Sequence, residues 1–424
     1  MFYNDLKKYI LDGNADEFLK STICFDDVSK ERERYLSLLE RAYNLFGDGD
    51  YHFVSSPGRT EVGGNHTDHQ HGHCLTAALN IDDVCVYKKN DTNTVNYYYD
   101  DEERHVDLSD LSKHDDEHES STSLIRGIAY KIKEMGYDIG GIDAVCDAKV
   151  LVGSGISSSA CFEVMLAEMF NYLYCEGKIS DVDRAIIGRF AEREYFGKGS
   201  GLMDQATISV GGFVSFDFFD DQKPVIKNYE FSFEDYNYDL VLVNVKGSHA
   251  GLSNEYSAVP GEIRDVAHEL GVDYLADTNY ENLVNNIPAI REKIDNDRGI
   301  LRSIHFFREN KRAVEEADAV KEKDINKLLK LMKGSGHSSF MYLQNVYPAS
   351  RPQSQPLALA LALTAEFLGD EGAYRVHGGG FGGTIQVILP KEKKEDYKKL
   401  MEPIFGDDSL VFVKVRSFGT KTLF

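Results

Sequence analysis

The segment Val150–Val164, VLVGSGISSSACFEV, constrains the fold most tightly. An apolar run, DAVCDAKVLVG, enters a Gly-Ser-Gly turn and three serines. The next stretch carries Phe162, Leu166 and Phe170 at helical spacing. Strand, turn and helix in that order gather backbone N–H groups at the partially positive end of a helix, which is anion-binding geometry. Ser157, Ser158 and Ser159 add hydroxyls suited to phosphate oxygens or a Mg²⁺ ion. An ordinary capped helix needs only one such side chain.

Two look-alike motifs fail. Gly153-x-Gly155 lacks the third glycine of the dinucleotide fingerprint, because Ser158 stands there. FGKGS at Phe196–Ser200 looks like a Walker lysine loop, but Glu192 occupies the position where that loop needs glycine.

A second glycine-rich backbone, HGGGFGGTIQVIL, begins at His377. Gly378, Gly379, Gly380, Gly382 and Gly383 surround Phe381 ahead of a strand, more glycine than a hairpin turn needs. A third, SSPGRTEVGGNHTDHQHGHCL (Ser55–Leu75), holds His66, His69, His71 and His73 around Asp68. His69, His71 and His73 alternate toward an expected strand, which would set all three on one face. No Glu or Cys joins them at zinc spacing, and a sugar loop is the preferred reading. Asp204 follows the flexible Gly197–Gly201 stretch and precedes an expected strand over 206–218, where a carboxylate would project into a cleft.

Together these segments resemble the GHMP kinase superfamily, and within it the galactokinases. PGRTEVGGNHTDH is similar to the galactokinase signature through Gly58, Arg59, Gly63, His66 and Asp68. GSGISSSACFEV resembles the nucleotide-phosphate motif and GGGFGGT the third family motif. AEREYFGKGSGLMDQ matches the segment with the catalytic aspartate, and LSNEYSAVPGEIR the segment with a sugar-contacting tyrosine, here Tyr256.

The resemblance implies an α+β fold of two domains with the active site in the cleft between them. A polar leader over 1–30 would precede an N-terminal domain at 31–232 and a C-terminal domain at 233–424. It implies transfer of a phosphoryl group from ATP, with Mg²⁺, to the anomeric hydroxyl of galactose. Asp204 and Arg59 would be catalytic. Asn65, His66, Asp68 and Tyr256 would bind the sugar with them. Gly153, Ser154, Gly155, Ile156, Ser157, Ser158, Ser159 and Ala160 would wrap the phosphates, with Ser158 or Ser159 and Glu192 on the metal. A carboxylate paired to arginine is a weak base, so positioning and charge neutralisation would carry most of the catalysis.

The signature departs from the family at two positions. Glu61 stands where asparagine is usual, and Asn65 where a glutamate contacts the sugar C6 hydroxyl. Galacturonate is therefore an alternative substrate to galactose, and Asn65→Glu is expected to shift preference toward galactose. Val152 replaces a usual proline, His377 a common threonine, and the tryptophan found beside adenine is missing, with Ser121–Ile128 in that segment. A non-catalytic sugar and ATP sensor is the alternative of another class, but the serines and Asp204 are intact. A metal-binding protein built on the histidines ranks below both.

The chain has 424 residues and a formal charge of −23, which argues against a nucleic-acid partner. No apolar run reaches the ~20 residues of a membrane span, and the N-terminus lacks a signal-peptide core. None of the six cysteines forms a C-x-x-C pair, in keeping with reduced thiols in a cytoplasmic protein. The oligomeric state is not legible.

Overall fold

In a computed structural model of the chain, which describes residues 1–25, 27–99, 102–150, 156–220, 223–247 and 252–424, two strands dominate. β1 (His52–Gly63) is buried along its whole length and runs antiparallel to β2 (His73–Lys89). The sequence suggests two strands over 74–89. They form one, because polar Asn80 and Asp82 in its middle find distant partners. Asn80 Nδ2 donates to Ile23 O at 2.7 Å, and Asp82 pairs with Arg34 at 2.7 Å.

β3 (Thr94–Tyr99), β4 (Glu102–Asp107) and β5 (Ile142–Ala148) extend this sheet beyond β2. β6 (Phe213–Asp217) pairs with the first part of β2, and β7 (Val225–Tyr229) pairs with β6. The second sheet is β11 (Leu410–Val413), β8 (Tyr238–Asn244), β10 (Thr384–Pro390) and β9 (Ala373–Val376), in that order and antiparallel throughout. The chain's end returns to the first sheet, where β12 (Lys421–Thr422) pairs with β1 at Val54↔Thr422. This is an α+β architecture. Helices Ser121–Glu134 and Ser158–Tyr174 cover the first sheet through Ile125, Ile128, Met165 and Phe170. Helices Pro356–Leu368 and Lys394–Phe405 cover the second through Leu357, Leu361, Tyr397 and Met401. A shared core containing Val62, Leu79, Leu242, Met332 and Val413 joins the two.

The N-terminal segment is more than a polar leader. It folds as helices Tyr3–Leu11 and Asp16–Ile23, and Leu6, Ile10 and Leu19 are fully buried beside Tyr35, Phe53 and Val84. Their spacing gives each helix an apolar stripe. The expected strand over 206–218 is also corrected. Met203–Val210 is a helix, and β6 begins after the glycine pair Gly211-Gly212.

Candidate active site

A register shift in β1 between Pro57 and Arg59 leaves Gly58 out of the ladder, and Arg59 rejoins it opposite Ala78. Gly58 fits there because a side chain would press within 3.2 Å of Ile156 O, and Arg59 N donates to that same carbonyl at 3.1 Å. The Arg59 guanidinium forks onto Asp204, Nε to Oδ1 at 2.7 Å and Nη2 to Oδ2 at 2.9 Å. Asp204 lies in the first turn of helix Met203–Val210, where the partial positive charge of the helix end favours a carboxylate. Ser157 Oγ donates to its second oxygen. Burial would raise the Asp204 pKa, but the Arg59 charge and the hydrogen bonds from Arg59 and Ser157 outweigh it and hold it below the usual carboxylate value.

Ser157 caps helix Ser158–Tyr174 in a left-handed conformation, φ 67°. Gly153, Ser154 and Gly155 lie outside the described residues. Ile156 and Ala160 are buried behind the turn, whereas Ser157, Ser158 and Ser159 line a cavity of about 250 Å³ with Lys198, Gly379, Gly380 and Thr384. Ser159 Oγ donates to Glu192 Oε1 at 3.1 Å. Lys198 Nζ lies 2.6 Å from that oxygen, and Gln205 Nε2 donates to Glu192 Oε2 at 2.9 Å. Gln205 also donates to Glu163 Oε2 at 2.9 Å. Burial, aided by the Glu192 charge, pushes the Glu163 carboxyl well above its ordinary range. Lys198, Glu163 and Gln205 are site residues that the motifs did not single out. Lys198 was set aside with its failed Walker spacing, yet it reaches the serine cavity from that same stretch.

The two remaining glycine loops meet across the cleft. His66, with φ 57°, places Nε2 3.1 Å from Gly379 O, and Tyr256 donates its hydroxyl to Gly380 O at 2.9 Å. The Tyr256 ring packs edge-on against Phe381. Asn65 is a tie between loops. Its Nδ2 donates to Glu61 Oε1 at 2.9 Å and Gly378 O at 2.8 Å, while its Oδ1 accepts from Asn345 at 2.9 Å. Both amide N–H groups are thus spent inside the protein, while Asn65 also lines the larger cavity beside these loops. Glu61 is held by Arg375 at 2.7 Å.

A larger cavity, about 550 Å³, opens beside these loops and is lined by His66, Asp68, His69, Gly201, Tyr256 and Arg264, with Arg59 and Asp204 at its boundary with the serine cavity. Burial raises the Asp68 pKa. The expected alternation of His69, His71 and His73 fails, because a tight helical turn at Asp68–Gln70 intervenes and the strand begins only at His73. His69 faces the cavity, His71 stacks on Tyr274 at 3.6 Å, and His73 Nδ1 contacts Asn310 at 2.9 Å. No three His, Cys, Asp or Glu residues gather as a metal cage among the described residues.

The sequence matches two family profiles, the GHMP kinases N terminal domain over residues 123–212 and the galactokinase galactose-binding signature over 43–89. Galactokinase of Actinobacillus pleuropneumoniae is 28% identical over 354 residues, covering 82% of this chain and 88% of that protein. The chain is a sugar kinase phosphotransferase similar to the galactokinases. Galactokinase of Glaesserella parasuis serovar 5 is 29% identical over 365 residues, covering 84% of this chain and 90% of that relative. The fold of this chain superposes on Lactococcus lactis galactokinase complexed with galactose with a TM-score of 0.77 at 22% identity, over 92% of this chain and 100% of that one. Mevalonate kinase of Methanococcus jannaschii follows at 0.62 and 15% identity, over 87% and 99%. No described helix of the kinase is long and apolar enough to cross a membrane.

Proposed function

We propose that the protein transfers the γ-phosphoryl group of ATP to the anomeric hydroxyl of a galactose-configured hexose, with galactose 1-phosphate and ADP as the products from galactose. One observation carries the reading: Arg59, Asp204, Tyr256 and Gly379 line both the serine cavity and the larger one, so a group from each can meet at Asp204. The cleft lies between units at 31–232 and 233–424, taken here as the two domains.

In this reading the larger cavity holds the sugar, with His66, Asp68 and Tyr256 on its hydroxyls and Asn65 fixing the loop that carries them. The serine cavity holds the phosphates, through the backbone of 153–160, the hydroxyls of Ser157–Ser159 and the glycine turn 378–383. Hard oxygen donors suit Mg²⁺, and the Ser159 hydroxyl and Glu192 carboxylate converge as such a pair, with Ser158 beside them. Bound there, the cation neutralises charge on the phosphate oxygens.

Asp204 accepts a hydrogen bond from the anomeric hydroxyl and aims its oxygen at the γ-phosphorus. The O–P bond to the sugar forms as the bond to ADP breaks. The hydroxyl proton passes to Asp204 late, since a carboxylate with a lowered pKa is a poor base and a loose transition state needs little base strength. Arg59 keeps Asp204 oriented and balances charge between sugar and phosphate. Asp204→Asn tests the reading: turnover falls about 10²–10⁴-fold while sugar binding persists. Near-normal turnover removes Asp204 from the mechanism.

A further inference from the structure

Glu163 is a fully buried acid that lines neither cavity. It lies one turn beyond Ser159 on helix Ser158–Tyr174, so the two side chains share a face. Gln205 Nε2 spends one hydrogen on Glu163 Oε2 at 2.9 Å and the other on Glu192 Oε2 at 2.9 Å. Ser159 Oγ holds the second oxygen of Glu192 at 3.1 Å. Both oxygens of Glu192 are therefore tied to helix Ser158–Tyr174, one directly and one through Gln205. Gly188, on helix Asp181–Ala191 one turn before Glu192, leaves room for this bridge. A Cβ there would lie 3.2 Å from both Glu163 Oε2 and Gln205 Cγ.

Charge around the bridge is already balanced. Asp204 is paired with Arg59 at 2.7 Å and Glu192 with Lys198 at 2.6 Å, while Glu163 has no ion pair among the described residues. A buried carboxyl without a cation of its own keeps its proton. Burial and the Glu192 charge favour that neutral form. Glu163 Oε1 and Gln205 Oε1 are both buried with no partner among the described residues. A proton on Glu163 supplies the one donor that this acid–amide pair lacks.

We propose that Glu163 is a positioning residue: through Gln205 it holds the Glu192 carboxylate against Ser159 and Lys198 and seats the helix turn that carries Asp204. Gln205 follows Asp204 directly in the first turn of helix Met203–Val210. One amide thus couples the phosphate corner and the catalytic aspartate to the same buried acid. The inference rests on the sugar-1-kinase reading and adds to it a group that touches neither substrate. Removing an outer partner of this kind typically costs about 10–100-fold in metal affinity or activity.

The test is Mn²⁺ binding to the full chain in the presence of ADP, read by electron paramagnetic resonance, with Mn²⁺ standing in for Mg²⁺. Calorimetric titration of galactose and steady-state rates are followed on the same samples. Glu163→Leu is expected to weaken Mn²⁺ binding and lower kcat about 10–100-fold, with the Kd for galactose unchanged. Glu163→Gln, which keeps the shape and the hydrogen-bonding edge of a neutral acid, is expected to recover most of that loss. Gln205→Met leaves Glu163 in place and removes only the bridge, so it is expected to repeat the loss, and it decides the matter if Glu163→Leu does not fold. Wild-type Mn²⁺ affinity in Glu163→Leu or Gln205→Met, an equal loss in Glu163→Gln, a parallel loss of galactose binding, or no Mn²⁺ binding by wild type would overturn the assignment. Failure of wild type to phosphorylate any sugar refutes the kinase reading, while the Mn²⁺ order among the variants still decides the bridge on its own.

Discussion

Lys198 and Ser159 share a single oxygen of Glu192, Nζ at 2.6 Å and Oγ at 3.1 Å. The ammonium, the hydroxyl and the carboxylate therefore stand at one corner of the serine cavity. Burial disfavours the charged lysine there, but the Glu192 carboxylate outweighs it and raises its pKa, so Lys198 stays charged at neutral pH.

That charge faces the phosphates in the proposed reading. Lys198→Met is expected to raise the KM for ATP about 3–10-fold, the low end for a charge-assisted bond because the side chain is more than half exposed. Steady-state rates at varied ATP and saturating sugar measure it. An unchanged KM would take Lys198 away from the nucleotide.

Asn65→Glu is expected to act on stability more than on specificity. The new carboxylate would face Glu61 Oε1 and Gly378 O, which Asn65 now satisfies at 2.9 and 2.8 Å. An uncompensated buried charge costs about 3–5 kcal/mol. Urea denaturation at neutral pH reads that loss directly, and Asn65→Gln should recover part of it.

Glu163 offers a pH signature. Its folded pKa lies well above the ordinary value through burial and the Glu192 charge. The folded state therefore holds a proton that the unfolded chain releases above about pH 4.3, and stability declines as pH rises from there toward the folded value. Glu163→Gln removes this dependence. The variant is expected to match wild type near pH 4 and to exceed it by about 1 kcal/mol or more at pH 8, as thermal melts across pH would register.

The N-terminal helices build a core of their own against β1 and β2. Leu6→Ala and Ile10→Ala are each expected to destabilise the protein by about 2–5 kcal/mol, since both side chains are fully buried. Guanidinium unfolding curves measure the change. Losses near zero would mean that the helices dock only weakly.

The glycine loops were legible in the sequence because local composition dictates them: Gly58 at a bulge, Ser157 at a helix entrance, Gly379 against the Tyr256 ring. What was missed depends on partners far along the chain. The helix Met203–Val210 has β-branched Thr207, Ile208 and Val210 and reads as a strand, yet the Thr76 hydroxyl lies 2.6 Å from that of Thr207 and the turn packs against β2. The leader reads as polar because only its narrow apolar stripes carry the packing. Lys198 looks like an ordinary surface cation in one dimension. Only the fold brings it to Glu192, and no spacing rule encodes that meeting.

The central claim is that the Arg59–Asp204 fork directs phosphoryl transfer to the anomeric oxygen, and ¹³C NMR on C1-labelled sugar tests it most directly. With ATP and Mg²⁺, the C1 resonance of labelled galactose or galacturonate is expected to move and split by coupling to phosphorus, and Asp204→Asn to abolish the new doublet within the same time. An unsplit C1 signal while ATP is consumed, or a doublet that persists at the wild-type rate in Asp204→Asn, would contradict the account.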